Sequence, residues 1–309
     1  MAGPIRLAVV GVGKIARDQH VPALAANCAF RLVAAASHHG KLSGVPSFAD
    51  LASLLNAQPG VDAVSICTPP AGRHAVARVA LDAGLHVMLE KPPGLTVADV
   101  EDLAARAARG NLTLFAAWHS REAACVTSAR AWLADRSIAS IRTTWKENIR
   151  VWHPGQHWIL DRDGFGVFDP GINALSILTH ILPRRLKLRS AMLRYPENRQ
   201  APIAAELDLL YDEATPAPAS FDFLHEGRQQ WDIEIDTDRG ALVLSEGGQR
   251  LHIDGVERCA GENREYPGLY ARFAQLIARR ACDVDTRPLQ LALAACTTGV
   301  RIQAPAFEF

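Results

Sequence analysis

The sequence shows no imbalance of charge: 33 Lys and Arg against 33 Asp and Glu over 309 residues, a formal net charge of zero. It also holds no long run of like charge. Nucleic-acid and anionic-membrane binders usually display a basic stripe, so neither partner is expected. No segment approaches the roughly 18 apolar residues that a membrane-spanning helix needs. The opening MAGPIRLAVVGVGK lacks the basic, apolar and small-residue zones of a secretory signal. Six cysteines (Cys28, Cys67, Cys125, Cys259, Cys282 and Cys296) make no C-x-x-C pair. Scattered in this way they read as reduced, mostly packed thiols of a cytoplasmic protein, with neither a disulfide frame nor a zinc site. H-E-x-x-H is missing as well, and no metal is expected. No internal repeat or low-complexity linker breaks the chain.

What is present is an ordinary core-forming composition, 49% hydrophobic and 21% charged, at a length that suits two domains. The first part alternates short apolar runs with helix-period segments. IRLAVVGV, FRLVAAAS, VDAVSICTP, HVMLEKP and LTLFAAW read as strands, and the segments between them as helices. Strands rich in small and branched apolar residues on both faces, each returning through a helix, predict a parallel doubly wound sheet of α/β class. After Ser120 the texture changes. A helix over 123–134 leads into alternating runs: IRTTWKEN, LKLRSAMLRY, IAAELDLLYD, ASFDFLHE, QQWDIEID, ALVLSE and QRLHIDG. Turn signals at Gly227, Asp238-Arg239-Gly240 and Gly247-Gly248 favour antiparallel connections. The expected division is a dinucleotide-binding domain over 1–120 and an α+β domain over 121–309. The second domain is built on a large mixed, mostly antiparallel open sheet. The end, from Tyr270 to Gln303, reads as helical, and its last helix is free to pack back on the first domain. One face of the open sheet carries apolar residues, and too few helices follow to cover it. A homodimer through that sheet is therefore expected.

Gly11-Val12-Gly13-Lys14-Ile15-Ala16 is a G-x-G-x-x-A loop directly after the first strand. Gly11 serves the tight turn, Gly13 admits a pyrophosphate to the backbone N–H groups, and Ala16 permits close packing of helix on strand. Lys14 and Ile15 lie in the same loop, at a helix N-terminus that faces phosphates with partial positive charge. The end of the second strand reads Ser37-His38-His39-Gly40-Lys41, and no acidic residue occurs from Gln19 to Ala49. A carboxylate that would repel a 2′-phosphate is therefore missing, which favours NADP, or dual use of NADP and NAD, over strict NAD. A plain polar loop is the other reading of this stretch.

Glu90-Lys91-Pro92 follows the strand HVML, at the carboxyl end where an open parallel sheet binds ligands. Joined to the G-x-G-x-x-A loop, to Thr68-Pro69-Pro70 with His74, and to Ala83-Gly84-Leu85-His86-Val87, it resembles the glucose–fructose oxidoreductase and inositol dehydrogenase superfamily over essentially the whole chain. The resemblance implies that Thr68, Pro69, His74, Glu90 and Lys91 border the nicotinamide cofactor and that Lys91 is catalytic. It also implies an Asp followed four residues later by His. Here the run Gly166-Val167-Phe168-Asp169-Pro170-Gly171-Ile172-Asn173 keeps Asp169 and has Asn173 in the His position. An amide takes no proton at neutral pH, so the base falls to Lys91 or Asp169. KIARDQHVPA, Trp118-His119-Ser120, Trp145-Lys146-Glu147 and Trp152-His153-Pro154-Gly155-Gln156 are similar to the bacterial aldose 1-dehydrogenases of that superfamily, which act on L-arabinose and D-galactose.

Sugar chemistry also suits the residues themselves. A pyranose needs convergent donors and acceptors beside an aromatic wall. His119, Glu147, Trp152, His153, Asp169 and Asn173 supply them, while Trp145 and Trp158 read as core or interface aromatics. The expected reaction is oxidation of an aldose at C1 to the lactone. Lys91 hydrogen-bonds the C1 hydroxyl, Asp169 accepts its proton or holds Lys91 in the state that does, and the other polar groups fix the sugar. Two rivals stand beside this reading: a sugar-sensing regulator of the same fold without chemistry, and a cyclitol dehydrogenase. Lys91, Asp169 and the absence of a basic patch weigh against the regulator.

Overall fold

A computed structural model describes residues 3–57 and 60–309, and the chain divides into two compact units. The first holds residues up to His119 together with Tyr266–Thr286; the second holds Ser120–Glu265 and Arg287–Phe309. The second stretch is therefore interrupted. Its helix Glu265–Arg279 gives all but its first residue to the first unit, a division that a single boundary near residue 120 does not describe.

In the first unit six parallel strands lie in the order β3-β2-β1-β4-β5-β6: β1 Ile5–Val10, β2 Phe30–Ala36, β3 Ser47–Phe48, β4 Ala63–Ile66, β5 His86–Glu90 and β6 Leu114–Ala117. The order reverses between β1 and β4, which is where a doubly wound sheet opens a ligand crevice. Alternate residues of one strand enter different cores. Leu7 and Val9 pack on the side of Tyr266, Tyr270 and Phe273. Ala8 and Val10 pack on the other side with Leu54, Leu81 and Leu103, which come from helices Leu51–Ala57, Arg73–Asp82 and Val97–Arg109. Burial on both faces is why these strands lack polar alternation. The two-residue β3 is too short for a period-2 signal and escapes a reading by pattern.

The second unit is built on one mixed sheet in the order β15-β14-β13-β12-β7-β11-β9-β8-β16, with β10 Thr215–Pro216 paired to β9. Its other strands are β7 Ile138–Lys146, β8 Leu186–Pro196, β9 Ala204–Tyr211, β11 Ala219–Asp222, β12 Gln230–Thr237, β13 Gly240–Ser245, β14 Arg250–Ile253, β15 Val256–Ala260 and β16 Val300–Ala304. β12 to β15 form an antiparallel meander, whereas β11 on β7 and β16 on β8 are parallel. Ala205, Leu207, Leu209, Ile233 and Ile235 are buried on one face. The other face carries charge, such as the Arg189–Asp208 ion pair at 2.6 Å.

Three sequence expectations are overturned by the fold. The apolar face is covered within the unit by helices Val126–Leu133, Phe168–Ile181 and Arg287–Thr298. Two of those helices come before β8 in the chain, so counting only the helices that follow the strands misses them. Helix and sheet approach closely: a Cβ on Gly171 would lie 2.6 Å from the Phe221 ring. The ending, expected to be helical from Tyr270 to Gln303, holds the helices Glu265–Arg279 and Arg287–Thr298, the second with Pro288 near its start, but closes on the strand β16. β16 gains its partner β8 from more than 100 residues away in sequence, and local periodicity cannot show that. Nor are all cysteines thiols. Cys125 and Cys259 form a disulfide across 134 residues, with Cα atoms 5.7 Å apart. The fold brings the start of helix Val126–Leu133 to the edge strand β15, and spacing along the chain carries no trace of it. Among the described residues no helix is long and apolar enough to cross a membrane.

Candidate active site

The first unit carries the glycine loop. Gly11 has φ +91°, and a Cβ there would stand 2.7 Å from the Thr68 backbone N. The turn thus needs glycine because β1 runs against the end of β4. A Cβ on Gly13 would meet no atom of the described residues within 4 Å, so none of them forbids a side chain there and the space over the loop is open to a ligand. The Thr68 hydroxyl beside it is buried with no hydrogen-bond partner. An open cradle and an orphaned hydroxyl at the switch point fit a dinucleotide, with Gly11, Gly13, Lys14, Ile15, Thr68 and Pro69 as the residues to hold it.

At the end of β2, Ser37 gives its backbone N–H to the Phe48 carbonyl (2.9 Å), and its hydroxyl accepts from the His39 N–H (3.4 Å). His38 is exposed next to it. Arg17 also reaches this turn, donating to the Lys41 carbonyl at 3.0 Å. Sequence reading passed over that cation, because a helix brings it back to β2 from the other side of the loop. His74 is engaged elsewhere, 2.9 Å from Asp102 on helix Val97–Arg109.

Glu90 is not a surface carboxylate at a strand end; it is buried at the centre of a polar chain. Its Oε1 accepts from Tyr266 Oη (2.7 Å) and His20 Nε2 (3.0 Å), and its Oε2 accepts from the Lys91 backbone N–H (2.9 Å). His20 Nδ1 continues to Tyr270 Oη at 2.8 Å, which meets Ser65 Oγ at 3.0 Å. Burial alone would raise the Glu90 carboxyl. The hydrogen bond and charge of His20, with His119 and Tyr266, overrule it and hold Glu90 well below the usual carboxylate range. Burial opposes a charge on His20 too, yet Cys67, Tyr270 and Glu90 outweigh it and lift the imidazole well above its ordinary value. Both shifts favour the charged forms of this buried, hydrogen-bonded pair. His119 belongs to this unit as well, its ring stacked on Tyr266 at 5.5 Å.

The second unit gathers the rest of the expected sugar ligands. Glu147 follows β7, His153 follows the short helix Ile149–Trp152, and Asp169 stands in the first turn of Phe168–Ile181, where the helix dipole favours a carboxylate. Imidazole joins the two acids: His153 Nε2 is 3.0 Å from Glu147 Oε1, and its Nδ1 is 3.8 Å from Asp169 Oδ2. Phe223 sets an edge against that ring at 5.4 Å. Asn173 lies one turn beyond Asp169 on the same helix, half-buried. Trp152 is 41% exposed, an aromatic wall without a cover of its own.

Sequence reading missed Trp231. Its indole N–H donates to Glu147 Oε2 at 2.9 Å, and its ring lies 4.8 Å from Trp152. The available signal was register: β12 pairs with β7 so that Trp231 faces Trp145. Trp145 itself is buried core, as its pattern suggested. The arrangement gives Glu147 two fixed donors and orients His153 toward Asp169. That is a preorganised acceptor set with an aromatic wall, the inventory that polyhydroxylated rings require.

Residues 5–117 match the GFO_IDH_MocA model, described as an oxidoreductase family with an NAD-binding Rossmann fold. A galactose 1-dehydrogenase of Pseudomonas fluorescens is 44% identical over 98% of this chain and 99% of its own. The crystal structure of a D-galactose-1-dehydrogenase protein from Rhizobium etli superposes with a TM-score of 0.95 at 50% identity, covering 100% of this chain and 99% of that one. KijD10, a 3-ketoreductase from Actinomadura kijaniata solved with NADP and TDP-benzene, has a TM-score of 0.84 at 20% identity. It covers 98% of this chain and 100% of its own, and the likeness is one of fold.

Proposed function

The chain belongs to the GFO_IDH_MocA oxidoreductase family, and from that premise we propose that it is a nicotinamide-dependent aldose 1-dehydrogenase. It oxidises the anomeric carbon of D-galactose or L-arabinose to the lactone. The observation that carries the reading is the Glu147–His153–Asp169 set beside Trp152 and Trp231, in a chain that matches a galactose 1-dehydrogenase over nearly its full length.

When bound, the nicotinamide supplies the hydride acceptor. Lys91 donates a hydrogen bond to the C1 hydroxyl and stabilises its alkoxide character. Asp169 accepts the proton, and His153, 3.8 Å away, is placed to share its charge. Glu147 keeps His153 in orientation through Nε2. Asn173 and His119 take positioning hydrogen bonds to other hydroxyls, and Trp152 offers its ring to the C–H face of the sugar. An absorbance assay at 340 nm over a panel of aldoses and cyclitols, with NADP and NAD in parallel, tests the reading. Lactone formation from galactose or arabinose supports it. Turnover of cyclitols alone, or of nothing in the panel, overturns it.

NADP serves at least as well as NAD in this reading, because Ser37 and His38 stand where a carboxylate would repel a 2′-phosphate and Arg17 adds a cation to the same turn. Ser37→Asp is expected to shift preference toward NAD by about tenfold or more, the 1.4 kcal/mol scale of a close charge repulsion. Wild-type protein without NADP-dependent turnover at millimolar cofactor would remove the argument.

A homodimer and a cytoplasmic location complete the proposal. Support for assembly lies on the sheet face that the helices leave open. Met192 of β8 pairs with Val300 of β16, and these two with Ile302 are exposed together. Light scattering is expected to return twice the 33.5 kDa chain mass; a monomer at working concentration counts against it.

A further inference from the structure

Arg73 opens helix Arg73–Asp82 and is only 2% exposed. Its guanidinium turns inward onto backbone. Nη1 donates to the carbonyls of Glu90 and of Pro92, and Nε (3.1 Å) and Nη2 donate to the Thr68 carbonyl. One planar cation thus grips the residue before Lys91 and the residue after it, and ties both to the end of β4. From the other direction the Glu90 side chain holds the Lys91 backbone N–H at 2.9 Å. Tyr266 and His20 fix Glu90 in turn, and Tyr270 and Ser65 fix His20.

We propose that Arg73 and Glu90 are the positioning residues of Lys91, clamping its backbone from both sides so that its ammonium is preorganised for the substrate hydroxyl. The inference rests on Lys91 being the donor proposed above. Burying a guanidinium and a carboxylate is costly wherever it occurs. Here both charges converge on a single backbone position, the one that bears the lysine. A strand end would otherwise fray, and a lysine with four rotatable bonds would sample many positions.

The test compares Arg73→Lys, Arg73→Met, Glu90→Ala and Glu90→Gln in the full-length protein, with Lys91→Ala as reference. Arg73→Lys keeps the charge but cannot reach three carbonyls. Glu90→Gln keeps an oxygen acceptor for the Lys91 N–H, and its amide N–H groups can donate to Tyr266 Oη and to His20 Nε2 once the neutral imidazole carries its proton on Nδ1. Arg73→Lys, Arg73→Met and Glu90→Ala are expected to lower kcat by about 10–100-fold, with sugar KM and cofactor affinity within about threefold, because misplacement near the reacting atoms is felt in the transition state. Glu90→Gln should recover most of the loss.

Hydrogen exchange supplies the second readout. Pro92 and Pro93 have no N–H, so the difference between two peptides with a common start, one ending at Glu90 and one at Pro93, reports the Lys91 amide alone. That amide should exchange faster in Glu90→Ala than in wild type, and near the wild-type rate in Glu90→Gln. Unchanged kcat per folded molecule in Arg73→Met and Glu90→Ala, with an unchanged Lys91 amide, overturns the clamp. A fall of kcat and cofactor affinity together, tracking only the folded fraction, overturns it as well. Should Arg73→Met fail to fold, Arg73→Lys and the Glu90 pair decide the matter. If Lys91→Ala itself retains turnover, the reading of Lys91 has failed, whatever the clamp does.

Discussion

Lys91→Ala and Asp169→Ala are each expected to lower kcat by about 10²–10⁴-fold, the usual worth of proton transfer or general acid–base assistance, while cofactor affinity stays as in wild type. Lys91 follows the last residue of β5, fixed by its backbone N–H to Glu90. Asp169 lies in the first helical turn of Phe168–Ile181, buried and facing His153. Asn173→Ala should behave differently. An amide contributes a positioning hydrogen bond, about 0.5–1.5 kcal/mol, or about two- to tenfold, expressed mainly in sugar KM. Steady-state kinetics on folded variants separates the two classes. Near-normal turnover in Asp169→Ala, with His153→Ala inactive, would reverse the assignment. The geometry says where the proton would then go: onto the imidazole 3.8 Å from Asp169, with Glu147 behind it.

The second large effect falls on the glycine loop. Gly11→Ala is expected to weaken cofactor binding by about 10–100-fold and to lower thermal stability. The left-handed φ of +91° is open to glycine, and a Cβ would be driven 2.7 Å from the Thr68 N and 2.9 Å from the Cys67 carbonyl carbon. Both neighbours are backbone of a segment that leaves the centre of the sheet, so they cannot rotate away. Strain of about 1–3 kcal/mol per disfavoured residue, at 1.4 kcal/mol per factor of ten, gives the size of the change. Gly13→Ala separates turn from cradle. Its Cβ would meet nothing among the described residues, so the melting temperature should hold while cofactor affinity falls. Fluorescence titration with NADP and a thermal melt check both variants. Undiminished cofactor affinity in Gly13→Ala would mean that no pyrophosphate approaches that backbone.

The parallel sheet was legible because each of its longer strands is buried on both faces, and a run such as IRLAVV admits few other folds. The glycine loop and Glu90-Lys91-Pro92 were legible because their chemistry depends on a few adjacent residues. Asp169 and Asn173 were singled out by the resemblance, and their spacing of four residues puts them one turn apart on the helix Phe168–Ile181. The roles of Glu90, Arg73 and Trp231 were not legible. Glu90 and Trp231 depend on partners distant in sequence, Tyr266 at a separation of 176 and Glu147 at 84, while Arg73 depends on carbonyls 5 to 19 residues away that only the packing of helix on sheet turns toward it.

What the sequence determined by itself was therefore everything set by local period and local chemistry: the class of the sheet, the phosphate loop, the lysine at a strand end and the acid in a helical turn. Only the tertiary structure decided what surrounds them. It buried Glu90 with His20, pulled helix Glu265–Arg279 into the first unit, joined Cys125 to Cys259, and closed the apolar face of the second sheet with helices that come before most of its strands. The reason is physical. Hydrophobic periodicity records which face of an element leaves water but not which element covers it. A buried polar group is satisfied by whatever donor the packing brings within about 3 Å, and that donor leaves no mark on the neighbouring sequence.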